Sequence, residues 1–250
     1  MGYIFLHRGV QLLIWGLYSI FSLLLCIWLA WHIWAQVNFL YPTWYQWLEI
    51  DQTIEKTMPR HLYKKEFIQT DAFEHQRLFG EIVEAVQNQG RGLEQITFYD
   101  TSGEPLGKLL TMNEIIHLQD VARLVSQFNW ISVGLFASCI ILLGLVFLSG
   151  IKMPALKKII FGVMAFVVVS ALAVIIFGAK KFFYWLNTVV FPDNHQWFFY
   201  YEESLMSTLM KAPALFAPIS ILLILLGIVF WLLQLGLLNW LDSNKNHNGH

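Results

Sequence analysis

In Glu114-Ile-Ile-His117-Leu-Gln-Asp120 a histidine lies three residues from a carboxylate on either side. On a helix of 3.6 residues per turn, positions three apart share a face. An imidazole with an unperturbed pKa near 6.5 is suited to taking up and returning a proton, and a carboxylate on its ring N–H improves it as a base. The alternative is a solvated charged face with ordinary i,i+3 pairing. Glu114-x-x-His117 also has the spacing of one arm of a di-metal carboxylate site. That chemistry needs a second Glu-x-x-His and two more acids inside the apolar helices, where the sequence has none. No clustered Cys/His set suggests structural zinc, and no Gly-x-Ser-x-Gly, phosphate loop or dinucleotide fingerprint is present. Among the other histidines, His195 stands out beside a Pro192-Asp193-Asn194 break. His61 and His75 read as surface residues, His32 as interfacial, and His7, His247 and His250 as terminal.

The element that must position this face starts at Thr111. Thr111 followed three residues later by Glu114 is a capping box. The helix it opens puts Val121, Leu124, Val125 and Phe128 on a second face and runs into the apolar stretch 128–150. Three more blocks, 10–34, 159–179 and 215–240, reach the roughly 20 residues that cross a bilayer core of about 30 Å. With 57% hydrophobic and 13% charged residues, the chain is too apolar for a soluble domain. It reads as an α-helical polytopic membrane protein with four transmembrane helices and a small α+β extracytoplasmic domain (41–127) between helices 1 and 2. The first block is too long for a secretory h-region and has no small-x-small cleavage site, so it reads as a retained helix. Cys26 and Cys139 fall in the first two spans and read as small buried hydrophobes. A net charge of −1 without a basic run gives no reason to expect nucleic acid.

Four spans put both termini on one side. The short segments there carry Arg8, Lys152, Lys157, Lys158 and Lys245, whereas loop 180–214 carries Lys180, Lys181 and Lys211. The positive-inside rule then places both termini in the cytoplasm. In the outer segment, Trp31, Trp34, Tyr41, Trp44, Tyr45 and Trp47 read as an interfacial aromatic belt. Asp51–Thr57 reads as a short helix stopped by Pro59. Asp71-Ala-Phe-Glu74 opens another helix, with Leu78, Phe79, Ile82, Val83 and Val86 on one stripe and Gly90 at its end. Leu93–Tyr99 and Leu106–Leu110 flank Asp100-Thr-Ser-Gly103 as a hairpin. The 180–214 loop holds ten aromatics between Phe182 and Tyr201, a density suited to a membrane anchor or to a lip that grips a lipid.

Tyr41-Pro-x-Trp44-Tyr45, Gln89-Gly90-x-Gly92-Leu93, Glu114-x-x-His117-Leu118-x-Asp120-Val121 and Phe191-Pro192-Asp193 occur in this order between four spans. Together they resemble the bacterial integral-membrane family that includes lipoprotein intramolecular transacylase, called Lit. The resemblance runs from about Tyr41 to Pro218 and is most specific at His117-Leu-x-Asp120-Val121. It implies transfer of an acyl chain from the sn-2 glyceryl position of a diacyl lipoprotein to the amine of its N-terminal cysteine, with no soluble cofactor. The implied partners are the bilayer and a lipid or lipoprotein substrate, and the implied location is the bacterial cytoplasmic (inner) membrane. The family's catalytic histidine falls on His117. The place of its second histidine is taken by Asn187, with His195 just beyond the break as a spatial substitute. The expected site is thus His117 as base, oriented by Asp120 or Glu114, with His195 or Asn187 contacting the carbonyl. The alternative is a non-catalytic or differently specific lipid-binding protein of the cell envelope.

Overall fold

The structure, a computed structural model, describes residues 2–192 and 194–247. The side chains of residues 2–8, 179, 180, 183 and 245–247 are also outside the description. The centre of the expected Pro192-Asp193-Asn194 break therefore lies outside the described residues. So do the side chains of His7, Arg8, Lys180, Phe183, Lys245 and His247, and all of His250.

It is an α-helical polytopic membrane protein with a small α+β domain after its first span. Helix α1 covers Gly2–Ala35, α5 Met112–Ser149, α6 Leu156–Phe177 and α9 Phe216–His247. These four are long and apolar enough to cross a membrane, over Gly9–Ala35, Met112–Ser149, Leu156–Phe177 and Phe216–Asn244. The helix opened by the capping box and the second apolar block are one unbroken element, α5. Gly178, at φ +99°, ends α6, and the first part of the aromatic-rich loop forms a helix, α7, Ala179–Val190.

Contacts divide the chain into two compact units. One comprises residues 1–31, 130–184 and 223–250. Its core gathers Trp15, Tyr18, Cys26, Cys139, Ile159, Val163, Trp231 and Leu235. Both cysteines are free and buried, as their apolar surroundings predict. Gln234 donates to the Tyr18 hydroxyl, and the Trp231 indole N–H donates to the Ser19 carbonyl at 3.0 Å. Gln234, Tyr18 and Trp231 thus find partners inside the protein, as a hydrocarbon setting favours.

The second unit comprises residues 32–129 and 185–222. It contains α2 (Tyr41–Trp47), α3 (Ile50–Thr57), α4 (Ala72–Gln87), strands β1 (Thr97–Tyr99) and β2 (Pro105–Lys108), and α8 (Leu205–Leu209). Asp71 caps α4 by accepting the Glu74 N–H at 2.8 Å. The expected stripe of Leu78, Phe79, Ile82, Val83 and Val86 is buried. The helix closes with Gln89 left-handed (φ +60°) and the Gly90 N–H on the Ala85 carbonyl at 2.7 Å. That bond belongs to a Schellman motif, so Gly90 supplies a donor and Gln89 makes the turn. The strands pair antiparallel, Thr97 opposite Lys108, with an irregularity between Phe98 and Tyr99. The Glu74 carboxylate accepts from Arg77 and from the Tyr99 N–H, and Arg77 also donates to the Thr97 carbonyl, so the hairpin is bolted to α4.

Two expectations about this unit are corrected. Tyr41 and Tyr45 are not belt residues. They are 1% and 5% exposed, and Tyr41 stacks on Phe79 at 4.0 Å and donates to the Leu209 carbonyl at 2.7 Å. Nor are His61 and His75 on the surface, at 1% and 4% exposed. His75 tolerates burial because neighbouring groups satisfy both of its ring nitrogens. His75 Nδ1 faces the Tyr45 hydroxyl at 2.8 Å, and Nε2 faces Thr70 Oγ1 at 2.6 Å. Thr70 spends its single proton on the Phe67 carbonyl, so it accepts from His75 Nε2–H, and Nδ1 then accepts from Tyr45. That arrangement fits a neutral ring. Burial pushes the His75 pKa down to about 4, against the opposing charges of Asp71, Glu74 and Asp51.

A depressed histidine pKa makes the unfolded chain the better proton acceptor between pH 6.5 and 4. The His75 contribution is therefore full above pH 6.5 and is lost as pH falls toward 4, by about 3 kcal/mol in all. Thermal unfolding in detergent, followed by tryptophan fluorescence from pH 7.5 to 4.5, should show Tm falling over that window. A His75→Gln variant, which keeps a donor and an acceptor but cannot titrate, should start lower at pH 7.5 and fall less. Equal slopes would remove His75 as the cause.

Candidate functional site

The site lies in the second unit, where the first turns of α5 meet the segment 191–209. The capping box forms as its spacing predicts. The Thr111 N–H donates to Glu114 Oε2 at 2.6 Å, and the Glu114 N–H donates to Thr111 Oγ1 at 3.4 Å. The other carboxylate oxygen does more than cap. Glu114 Oε1 accepts from Ser204 Oγ at 2.6 Å and from the Met206 N–H at 3.2 Å. Ser204 is itself the N-cap of α8, its hydroxyl oxygen accepting the Ser207 N–H at 3.0 Å. One fully buried carboxylate thus closes the start of α5 and the start of α8 together.

Two turns further along α5, Asp120 is buried and points its Oδ2 at His195 Nδ1, 2.5 Å away. Its Oδ1 lies 3.3 Å from Arg123 Nη1, whose side chain is 65% exposed. A short contact between a carboxylate and an imidazole N–H is charge-assisted and fixes the tautomer, leaving Nε2 with the lone pair. A second tie runs alongside, Asn113 Nδ2 donating to Gln196 Oε1 at 3.0 Å.

His117 sits on the turn between these two carboxylates but bonds to neither. Glu114 is committed to the two caps and Asp120 to His195 and Arg123. The expected orientation of His117 by a carboxylate three residues away is thus not what forms. A shared helical face puts the three side chains near one another, but each acid has a better-placed donor elsewhere. The His117 ring lies between aromatics, 5.0 Å from Phe191 and 5.7 Å from Phe199 by centroids. Its Nδ1 is buried without a hydrogen-bond partner among the described residues. Asn187 is buried on α7, one turn before Phe191, whose N–H donates to the Asn187 carbonyl at 2.9 Å.

A further polar layer lies on the chain entering α5. Lys64 Nζ donates to the Leu109 carbonyl at 2.7 Å. Burial lowers its pKa, opposed by the Glu114 charge. His61 Nδ1 accepts the Tyr63 and Lys64 N–H groups, at 3.3 and 3.1 Å. Burial, aided by the Lys64 charge, lowers the His61 pKa as well, against Glu114, Glu202 and Glu66.

Of the expected residues, Asp120 and His195 are brought into direct contact, and His117 meets Phe191 from the same segment. Sequence reasoning missed Ser204 and Arg123. Ser204-x-x-Ser207 ahead of a short apolar run is a readable N-cap, and Arg123 stands at i+3 from Asp120. That Ser204 would spend its proton on Glu114, ninety residues away, has no local signal.

No protein-family model and no curated protein matches the chain. Among solved structures it is similar to the membrane integral lipoprotein intramolecular transacylase Lit from Bacillus cereus, in an in meso structure of a histidine-to-arginine variant. The two are 14% identical, with a TM-score of 0.66 over 100% of this chain and 99% of that one. The chain therefore has a Lit-like fold from end to end.

Removing the shared cap leaves the Thr111 and Met206 N–H groups and the Ser204 hydroxyl in a dry site, each unmet donor costing about 1–3 kcal/mol. Glu114→Ala should lower stability by roughly 3 kcal/mol or more. Ser204→Ala should cost about 1 kcal/mol, and the double variant should cost less than the sum of the two. Thermal unfolding of the four proteins in one detergent provides the cycle, and strict additivity would show that the two groups do not act as a pair.

Proposed function

We propose that this protein is a membrane acyltransferase of the bacterial cytoplasmic membrane, with both termini cytoplasmic. In this reading it moves an acyl chain from the sn-2 glyceryl position of a diacyl lipoprotein to the α-amine of its N-terminal cysteine. The observation that carries the reading is the Asp120–His195 contact of 2.5 Å, on the same helical face as His117. The Lit-like fold supports the choice of substrate.

In this mechanism, Asp120 holds the His195 Nδ1–H and Nε2 is the base. The substrate α-amine, whose conjugate acid has a pKa near 7.7–8.0, reacts in its neutral form and gives up one proton to Nε2 as its nitrogen attacks the ester carbonyl carbon. A C–N bond forms and the carbonyl oxygen takes on negative charge. His117, with Asn187 as a further donor, meets that oxygen by hydrogen bonding. The tetrahedral intermediate then breaks its bond to the sn-2 glyceryl oxygen, which receives the proton His195 took up. The products are an amide and a free glyceryl hydroxyl, with no net proton released and no second substrate. Phe191 and Phe199 supply an apolar wall for the acyl chain beside the reacting carbonyl.

This assigns the base to His195, a change from the sequence expectation, because His195 is the histidine that holds a carboxylate. Cells making diacyl lipoproteins and expressing this protein should yield the N-acyl lyso form, read by mass spectrometry of lipoprotein N-termini. His195→Asn and His117→Asn should each lower its initial rate of formation by about 10²-fold or more, and Asp120→Asn by a comparable factor, each at unchanged protein level. Wild-type protein that never gives the lyso form would end the acyltransferase reading and favour a lipid-binding protein without this activity. Full activity in His195→Asn with loss in His117→Asn would return the base to His117.

A further inference from the structure

In the first unit, α1 and the start of α6 enclose a groove of about 250 Å³. Its walls include Trp15, Gly16 and Ile20 from α1, and Lys158, Gly162 and Phe166 from α6. The two glycines keep it open: a Cβ at Gly16 or at Gly162 would meet nothing within 4 Å. The lining is apolar except near one end, where Lys158 stands three residues into α6.

That end is cationic. Lys152, Lys157 and Lys158 fall within seven residues, and none forms an ion pair among the described residues. The connection carrying them is fixed to α1 by Gln11, whose amide donates to the Lys152 carbonyl. Helix α6 begins at this point with no acid in its first turn and no side-chain cap at Ala155, so its positive end is uncompensated. Trp15 lines the groove at 4% exposed, and its indole N–H lacks an acceptor among the described residues. A buried donor without an acceptor calls for a partner from outside the chain.

In a bilayer an apolar groove of this kind takes up a hydrocarbon chain. A cluster of lysines at its end selects which lipid supplies that chain. We propose that the groove is a binding site for one phospholipid with an anionic headgroup. One acyl chain runs between Gly16 and Gly162, and the headgroup phosphate is held by Lys158 with Lys152 and Lys157 near it. The glyceryl ester carbonyls provide the acceptor that the Trp15 N–H lacks. The site lies in the other unit from Asp120 and His195 and uses none of the groups assigned to acyl transfer. It is therefore independent of the proposed reaction.

Native mass spectrometry of the detergent-solubilised full-length protein tests this, with equal amounts of phosphatidylglycerol and phosphatidylethanolamine bearing the same chains. The wild-type protein should retain one phosphatidylglycerol in preference to phosphatidylethanolamine, by about fivefold for each lysine engaged. Lys158→Gln should reduce that preference about fivefold, while Lys158→Arg keeps it. Gly162→Leu, which fills the groove without displacing a neighbour, should lower retention of both lipids with thermal stability unchanged. Equal retention of the two lipids by wild-type protein would overturn the proposal. So would wild-type retention in both Lys158→Gln and Gly162→Leu, or displacement of phosphatidylglycerol by millimolar inorganic phosphate.

Discussion

The Glu114 carboxylate is the interaction on which the second unit of this protein depends. A helix that must cross a hydrocarbon layer cannot start carelessly, because its first N–H groups have no partners of their own. Here Glu114 itself is fully buried although nearby Met112 is exposed, so the carboxylate rather than water serves the groups it faces. Glu114 answers with one oxygen on the Thr111 N–H and uses the other to seat Ser204 and the Met206 N–H. Each of these bonds has a charged acceptor in a dry setting, the circumstance in which a hydrogen bond contributes most and its loss costs most. The same group therefore fixes where α5 begins and where the 191–209 segment lies upon it.

The catalytic proposal rests on that seating. His195 and Gln196 are neighbours in an irregular run, yet they reach Asp120 and Asn113, seven residues and about 10 Å apart along α5. Two side chains spread along two turns of a helix hold a loop far more firmly than one. With Ser204 pinned at Glu114 as well, the imidazole of His195 is carried by a segment tied at three places. A base must sit within a fraction of an ångström of its proton to be effective, and loops meet that demand only when such ties exist. Asp120 then does two things, fixing the His195 tautomer and balancing charge if the ring becomes protonated.

Much of this architecture is written locally in the chain. Apolar runs of hydrocarbon length name the four spans, and Thr111/Glu114 and Asp71/Glu74 name two helix starts that form as read. The Asp100-Thr-Ser-Gly103 turn likewise predicts the hairpin. What escaped reading is long-range. Whether Asp120 would orient His117 or His195 depends on a contact across 75 residues, whereas local spacing points to His117 alone. Tyr41, Tyr45, His61 and His75 look like interfacial or surface residues because they are polar. They lie in the core because each finds partners there, Tyr45 and His75 in one another. Pattern reading assigns polar groups to water by default, and it fails where the fold has already paired them.

That pairing also separates His117 from His75. His75 has both ring nitrogens engaged, and its neutral form is locked by Thr70 and Tyr45. His61 uses its Nδ1 to cap two backbone N–H groups. The His61 Nε2, like His117 Nδ1, is buried without a partner among the described residues. His117 has aromatic neighbours, two carboxylates within a turn that are both committed elsewhere, and a buried nitrogen with no partner among the described residues. Like the Trp15 N–H and His61 Nε2, that nitrogen is left without a partner among the described residues. In the proposed reaction, an ester carbonyl arriving beside Phe191 and Phe199 has the polarity and the apolar tail to fill that place.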